Sequence, residues 1–209
     1  MYTLICVLLT AALLGTQTGQ SAQSVMANVA TSARAPRSFQ ASTSLQLKQR
    51  SFPWKRVALN GTSYFEAPNR LAVRFANLPG YMSGLPKAYA KVLNVGAWPE
   101  EYNVTLGPPQ TINGHTDVML QLTPKISGSD DRGIALVNPS DWSVEQVSWN
   151  LSGGIQLNMT EGYAEVGSYR VPASQSLSIR TPYATADGSV QLANYALNVR
   201  INSQIFSQE

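Results

Sequence analysis

The chain has 209 residues, 44% hydrophobic and 13% charged, with a net charge of +3 at pH 7. This length suits one domain with a full core, and a polar but weakly charged composition is typical of exported β-rich proteins. The Lys and Arg residues form no dense runs with interleaved aromatics, which excludes a nucleic-acid-binding protein.

The first 24 residues have the pattern of a secretory signal peptide. They carry no charged side chain, and Leu4–Leu14 is an apolar run too short to span a bilayer. We predict cleavage after Ser24 or Ala27, with a buried N-terminal segment as the alternative. Cys6, the only cysteine, lies in this segment, so the exported protein has no thiol for disulfides or thiolate metal sites. The expected location is the periplasm or another part of the bacterial cell envelope.

The rest of the chain is predicted to be mostly strands. Residues 25–43 are small and polar and indicate a linker or a short helix. From residue 44 onward, alternating apolar and polar residues predict about ten strands at a spacing of roughly ten residues. Turn dipeptides separate the strands, among them Asn60-Gly61, Asn113-Gly114 and Glu161-Gly162. We therefore predict one domain over residues 44–209.

One segment, Tyr81–Val95, has a helical pattern. Leu85 and Tyr89 lie at helical spacing, and Lys87 and Lys91 lie on the opposite face. No repeat of fixed period indicates a propeller or a solenoid. The predicted fold is mainly β: a single strongly curved antiparallel sheet, an incomplete β-barrel of about ten strands, with the helical segment as a lid.

Four stretches, in order, resemble a known family. Residues 104–125 (VTLGPPQTINGHTDVMLQLTPK) form a strand ending in Leu-Gly, a polar turn and a second alternating strand closed by LTPK. Residues 60–70 combine NGTSY with APNR, residues 134–147 read IALVNPSDWSVEQV, and residues 190–206 end in a late Phe. Together they resemble the outer-membrane lipoprotein-sorting (LolA/LolB-like) superfamily over roughly residues 44–206.

The resemblance implies a half-barrel under a helical lid, with an apolar cavity that holds acyl chains and no cofactor. We therefore expect an exported carrier of a lipid or a lipoprotein lipid anchor, and not an enzyme. The alternative is a periplasmic sensor or protein-interaction module of the same fold, with a filled interior and no lipid cargo.

Apolar residues that share one face of their predicted elements are candidates for the cavity lining. Met and aromatic side chains among them adapt well to a flexible lipid chain. The alternative for each residue is ordinary core packing. The candidates are Phe65, Leu71, Val73, Phe75, Tyr81, Met82, Leu85, Tyr89, Val118, Leu120, Leu122, Trp149 and Leu157.

His115, the only histidine, raises a third hypothesis. A hydrolase would use His115 as the base, Asp117 as its orienting acid and a serine as the nucleophile. The chain has no G-x-S-x-G nucleophile elbow, so we expect no catalytic residue. One His and scattered acids also predict no metal site. His115 is instead expected to be exposed, at the start of the strand after the Asn113-Gly114 turn.

Charge is divided unevenly along the chain. Residues 34–91 contain ten Lys or Arg and one acid, whereas residues 92–209 contain five Lys or Arg and eleven acids. Either the two halves pair within the molecule, or the basic region meets an anionic membrane surface or a membrane receptor.

Overall fold

The computed structural model describes residues 20–32, 34–112 and 114–207, so residues 1–19 of the predicted signal peptide lie outside the described residues. The described chain has three α-helices, α1 (Ala22–Thr31), α2 (Leu85–Leu93) and α3 (Trp98–Glu101). Its strands are β1 (Ser38–Gln49), β2 (Arg56–Glu66), β3 (Arg70–Phe75), β4 (Tyr102–Leu106), β5 (Gln110–Ile112), β6 (His115–Pro124), β7 (Arg132–Val137), β8 (Val144–Leu151), β9 (Ile155–Val166), β10 (Tyr169–Arg180) and β11 (Thr185–Leu197).

All eleven strands belong to one antiparallel sheet. The strand order is β3-β2-β1-β11-β10-β9-β8-β7-β6-β4, and β5 pairs with the N-terminal end of β6. The two edge strands, β3 and β4, do not pair with each other, so the barrel is open. The predicted fold, mainly β with one incomplete antiparallel barrel and a few helices, is confirmed.

The alternation of residues explains why the strands bury one face. In β1, the buried Phe39, Ala41, Thr43 and Leu45 alternate with polar residues that are exposed or half-buried. Since side chains point to opposite faces at every second residue, this pattern puts one face of the sheet against the core and leaves the other face to solvent.

Two of the three turns named above are wrong. β2 runs without interruption through Asn60-Gly61, and β9 runs through Glu161-Gly162. In the register of the sheet, Gly61 lies opposite Phe75, and a side chain at position 61 would collide with the carbonyl of Arg74. Gly61 therefore permits close strand packing and does not form a turn. The predicted tight connection between β5 and β6 is supported, because Ile112 pairs with His115 and Gly114 has a φ of +86°, although Asn113 itself lies outside the described residues.

The helices lie over the buried face of the sheet and share its core. Val25 of α1, Val92 of α2 and Trp98 of α3 are buried with residues from most of the strands. α2 packs against the edge strand β3, and α1 contacts the opposite edge strand β4, so the helices bridge the open side of the barrel. Within the segment predicted as a lid, residues 81–95, the regular helix is limited to α2, and short 3-10 turns flank it.

Within the described residues, the N-terminal helix belongs to the domain, because Val25 and Met26 of α1 are buried in its core. Ser21 caps α1, since its hydroxyl accepts a hydrogen bond from the Ser24 backbone N–H at 3.1 Å. β1 begins at Ser38, so the sheet starts before the predicted domain boundary at residue 44. Cleavage after Ser24 or Ala27 stays a prediction, and both positions fall within α1. None of the helices in the described ranges combines the length and apolarity that crossing a bilayer requires.

Candidate functional site

A cavity of about 950 Å³ lies between the sheet and the helices. Its walls come from the end of α1 and the segment that follows it, from β1 to β3, from the C-terminal end of α2, from the β7–β8 turn, and from β9 to β11. Many of the lining side chains are apolar, including Val29, Phe39, Leu93, Val147 and Leu192. The volume lies near the upper end of the range of about 300–1,000 Å³ that is usual for small-molecule sites.

The cavity gathers only part of the predicted lining. Phe65, Leu71 and Tyr89 line it. Val118, Leu120, Leu122 and Trp149 are buried in the core, and Val73 is buried as well. The half-buried residues that pack against this core are Phe75, Met82, Leu85 and Leu157. Tyr81 is exposed to solvent. Apolar periodicity identifies the face of a strand that points inward, but it does not separate a lining residue from a packed one.

One wall of the cavity carries a chain of hydrogen bonds. The Tyr89 hydroxyl donates to Gln175 Oε1 at 2.6 Å, and Gln175 Nε2 donates to Glu161 Oε1 at 3.2 Å. The Tyr163 hydroxyl lies 2.9 Å from the Val144 carbonyl and 3.0 Å from Glu161 Oε2. A hydroxyl has one proton, so when Tyr163 donates to the carbonyl, the contact with Glu161 needs a proton from the carboxyl group. The geometry therefore suits a neutral Glu161.

The electrostatics agree with this proton count. Burial raises the pKa of Glu161 from its ordinary value of 4.5 to about 7, although the hydrogen bonds that Tyr163 and Gln175 can donate to the ionised carboxylate act in the opposite direction. Burial, with a smaller effect from Glu161, also raises the pKa of Tyr89, Tyr163 and Tyr195. This wall is consequently polar but uncharged below neutral pH.

Three arginines lie at one part of the cavity wall. Arg170 Nη1 pairs with Asp141 Oδ2 at 2.7 Å, and its guanidinium lies 5.2 Å from the centre of the Tyr163 ring. Arg34 pairs with Glu165, and Arg37 also lines the cavity. Among the described residues, Arg37 has no ion-pair partner, which leaves its charge available to an anionic group.

Some cations of the basic region pair with acids of the second half of the chain. These pairs are Arg34–Glu165, Arg50–Asp187 and Lys91–Asp131. Pairing within the molecule, the first of the two alternatives for the charge asymmetry, therefore accounts for part of it.

The sequence reasoning missed most of the polar wall. Residues 155, 157, 159, 161 and 163 share one face of β9, so Glu161 is an acid on an otherwise apolar face. An acid on an apolar face can be recognised in a sequence. The predicted turn at Glu161-Gly162, however, ended the predicted strand before Glu161. Residues 34–37 and the β7–β8 turn gave no comparable signal, because their place in the wall depends on tertiary contacts.

His115 does not sit in a hydrolase arrangement. Its Nε2 lies 3.1 Å from Glu145 Oε2 and 3.1 Å from Asp117 Oδ1. Within the described ranges, no serine hydroxyl is hydrogen-bonded to His115. Burial raises the pKa of Asp117, and the nearby Glu145 charge raises it further. His115 is half-buried, and not exposed as the sequence predicted.

Comparison of the sequence with known proteins identifies no relative. Neither a protein-family model nor a curated protein matches it.

Comparison of the fold gives clear neighbours. A DUF1329 family protein from Desulfovibrio piger covers 90% of this chain and 96% of its own, with a TM-score of 0.64 and 10% identity. An outer membrane lipoprotein-sorting domain from Vibrio parahaemolyticus covers 90% and 95%, with a TM-score of 0.59 and 9% identity. A LolA superfamily protein from Nitrosomonas europaea covers 90% and 97%, with a TM-score of 0.57 and 12% identity. The chain therefore has the fold of the LolA-like lipoprotein-sorting proteins, as the resemblance in sequence predicted.

Proposed function

We propose that this protein is an exported, non-enzymatic carrier that holds the acyl chains of a lipid or of a lipoprotein lipid anchor. The observation that carries the proposal is the cavity of about 950 Å³ between the sheet and the helices. The fold shared with lipoprotein-sorting proteins supports it. A protein-interaction module of the same fold needs no cavity of this size, so the cavity favours the carrier.

Apolar burial alone is sufficient for binding of this kind. Each buried CH₂ group contributes about 0.8 kcal/mol, so a chain of about a dozen methylenes gains roughly 10 kcal/mol before the cost of ordering it. Such binding needs no specific polar contact. A neutral Glu161 helps, since an ionised carboxylate in the wall would oppose an apolar cargo.

The arginines suggest how the polar end of the cargo is held. An acyl chain inside the cavity would leave its headgroup near Arg34, Arg37 and Arg170. Guanidinium groups bind phosphate and carboxylate oxygens well, and Arg37 has no acidic partner among the described residues to compete with them. We therefore expect an anionic headgroup.

Native mass spectrometry tests the carrier proposal. Gently purified protein should carry bound lipid, and Leu71→Trp should lose most of it, because the larger ring fills space in the cavity. The matched control is Ile126→Trp, which adds the same ring at an exposed position outside the lining. Wild-type protein without bound lipid, or a Leu71→Trp variant with as much bound lipid as the wild type, would contradict the proposal.

We also propose that a second region contacts an anionic membrane. The loop between β1 and β2 and the loop between β10 and β11 lie side by side, since Arg50 N–H donates to the Thr185 carbonyl at 2.7 Å. We call these two loops, residues 50–55 and 181–184, the aromatic tip. It exposes Phe52, Trp54 and Tyr183, which are 77%, 73% and 91% accessible. Lys55 in the tip supplies positive charge, and Tyr81 beside it is also exposed.

The aromatic tip and the cavity are separate sites. Phe39, near the start of β1, lines the cavity, whereas the tip follows the end of this strand at Gln49, roughly 33 Å further along the strand. Membrane contact through the tip would tether the carrier without placing the cavity in the bilayer. The two proposals can therefore fail independently.

A further inference from the structure

Three potential metal ligands meet at the end of β7. This strand ends at Val137, which pairs with Val118 of β6. His115 and Asp117 lie on β6 beyond this point, and Glu145 approaches them from β8. One ligand atom from each of the three side chains lies within 4.8 Å of the other two. We call these three residues the His115 cluster.

Asp117 is the unusual member of the His115 cluster. Its side chain has an accessible fraction of 0%, and neither carboxylate oxygen has a hydrogen-bond partner in the described chain. The contact between Asp117 Oδ1 and His115 Nε2 is 3.1 Å long but lacks hydrogen-bond geometry. A buried carboxylate without a partner is costly, so a native protein normally satisfies it with a water, a proton or an ion.

The spacing of the ligand atoms suits a divalent cation. Zinc binds imidazole nitrogen and carboxylate oxygen at about 2.0–2.2 Å, and tetrahedral angles then separate neighbouring ligand atoms by about 3.4 Å. His115 Nε2 lies 3.1 Å from an oxygen of each carboxylate, which is close to this value. Two carboxylates also neutralise a charge of +2.

The surroundings orient the cluster and leave it open. Asn138 Nδ2 donates to Glu145 Oε1 at 3.0 Å, so Oε2 is the oxygen that faces His115. Such outer hydrogen bonds are typical of metal sites. His115 is about one-third exposed, which gives an ion a path from solvent.

We propose that His115, Asp117 and Glu145 bind one first-row divalent cation, with Zn²⁺ as the probe. Imidazole with carboxylates suits zinc and its neighbours in the series better than calcium or magnesium. Val144, which precedes Glu145, lines the cavity, so a bound ion would fix the β7–β8 turn in the cavity wall. The site is independent of the cargo, and its test does not depend on the carrier proposal.

Isothermal titration calorimetry with ZnCl₂ tests the site, on chelator-treated protein from which any polyhistidine tag has been removed. We expect one Zn²⁺ per chain, at least tenfold weaker binding in His115→Ala and Glu145→Gln, and no change in Asp130→Asn. The control removes an exposed carboxylate outside the His115 cluster. No saturable zinc binding, or binding by His115→Ala equal to that of the wild type, would overturn the proposal.

Thermal unfolding separates the metal site from a simple ion-pair cluster. Zinc should raise the midpoint of the wild type and leave that of Asp117→Asn unchanged. In chelator, Asp117→Asn should unfold at a higher temperature than the wild type, because the amide removes a buried negative charge. If zinc has no effect on the wild type and His115→Ala lowers the unfolding midpoint of the protein in chelator, His115 holds the two carboxylates without a metal and the metal proposal is wrong.

Discussion

Glu161 links the chemistry of one residue to the behaviour of the cavity. It is bonded to Tyr163 on its own strand and to Gln175 on β10, and Tyr195 of β11 and Tyr89 of α2 lie near it. The three tyrosines have raised pKa values, so Glu161 is the group in this set that changes charge near neutrality.

The raised pKa of Glu161 predicts a loss of stability with rising pH. The unfolded chain ionises this carboxyl near pH 4.5, and the folded chain does so near pH 7. Folding is therefore penalised from about pH 4.5 upward, and the penalty levels off above about pH 7 at roughly 3 kcal/mol. Glu161→Gln removes the penalty, so the variant should gain stability relative to the wild type between pH 5 and pH 8.

Urea unfolding at pH 5 and pH 8 measures this gain. Glu165→Gln serves as the control, because Glu165 is exposed and its ion pair with Arg34 is on the surface. If the free energy of unfolding of Glu161→Gln differs from that of the wild type by the same amount at both pH values, the raised pKa of Glu161 is contradicted.

At the scale of the elements, Gly61 holds β2 close to β3. A Cβ atom at position 61 would lie 2.2 Å from the Arg74 carbonyl oxygen, and this backbone atom cannot rotate away. Gly61→Ala should therefore cost about 2 kcal/mol or more of unfolding free energy, as overpacking usually does. Gly80→Ala, where a Cβ atom meets nothing within 4 Å, should cost far less. Denaturant midpoints of the two variants measure the difference, and equal midpoints would show that β2 and β3 separate easily.

At the scale of the whole molecule, charge and aromatic exposure predict membrane contact at the aromatic tip. Wild-type protein should bind vesicles that contain phosphatidylglycerol, and less so at high salt, since salt screens the basic residues. Phe52→Ser with Trp54→Ser should reduce binding severalfold, because the exposed rings no longer enter the interface.

Vesicle co-sedimentation measures this binding, with Ile126→Ser as the control for loss of an exposed apolar residue elsewhere. The variant with two substitutions should keep its lipid cargo, and Leu71→Trp should keep its vesicle binding. Equal binding to neutral and anionic vesicles would contradict the electrostatic part of the proposal.

Several features could be predicted from the sequence because they rest on local patterns. Alternation in segments such as β1 and β6 identified the strands, and helical spacing located α2. The order of weak motifs between residues 60 and 206 identified the fold, although no single motif does so. The two false turns arose where Gly serves close strand packing or follows an inward-facing acid, and a dipeptide signal does not distinguish these uses from a turn.

The sequence by itself determined that this chain consists mainly of strands with one apolar face, because strand periodicity is a property of neighbouring residues. Only the tertiary structure decided which inner residues line the cavity and which fill the core, since that depends on where α1, α2 and the β7–β8 turn lie. It also brought Glu145 to His115 and Asp117 from nearly thirty residues away along the chain. Local spacing contains no information about such an approach, because the strand pairing that creates it forms only in the folded sheet.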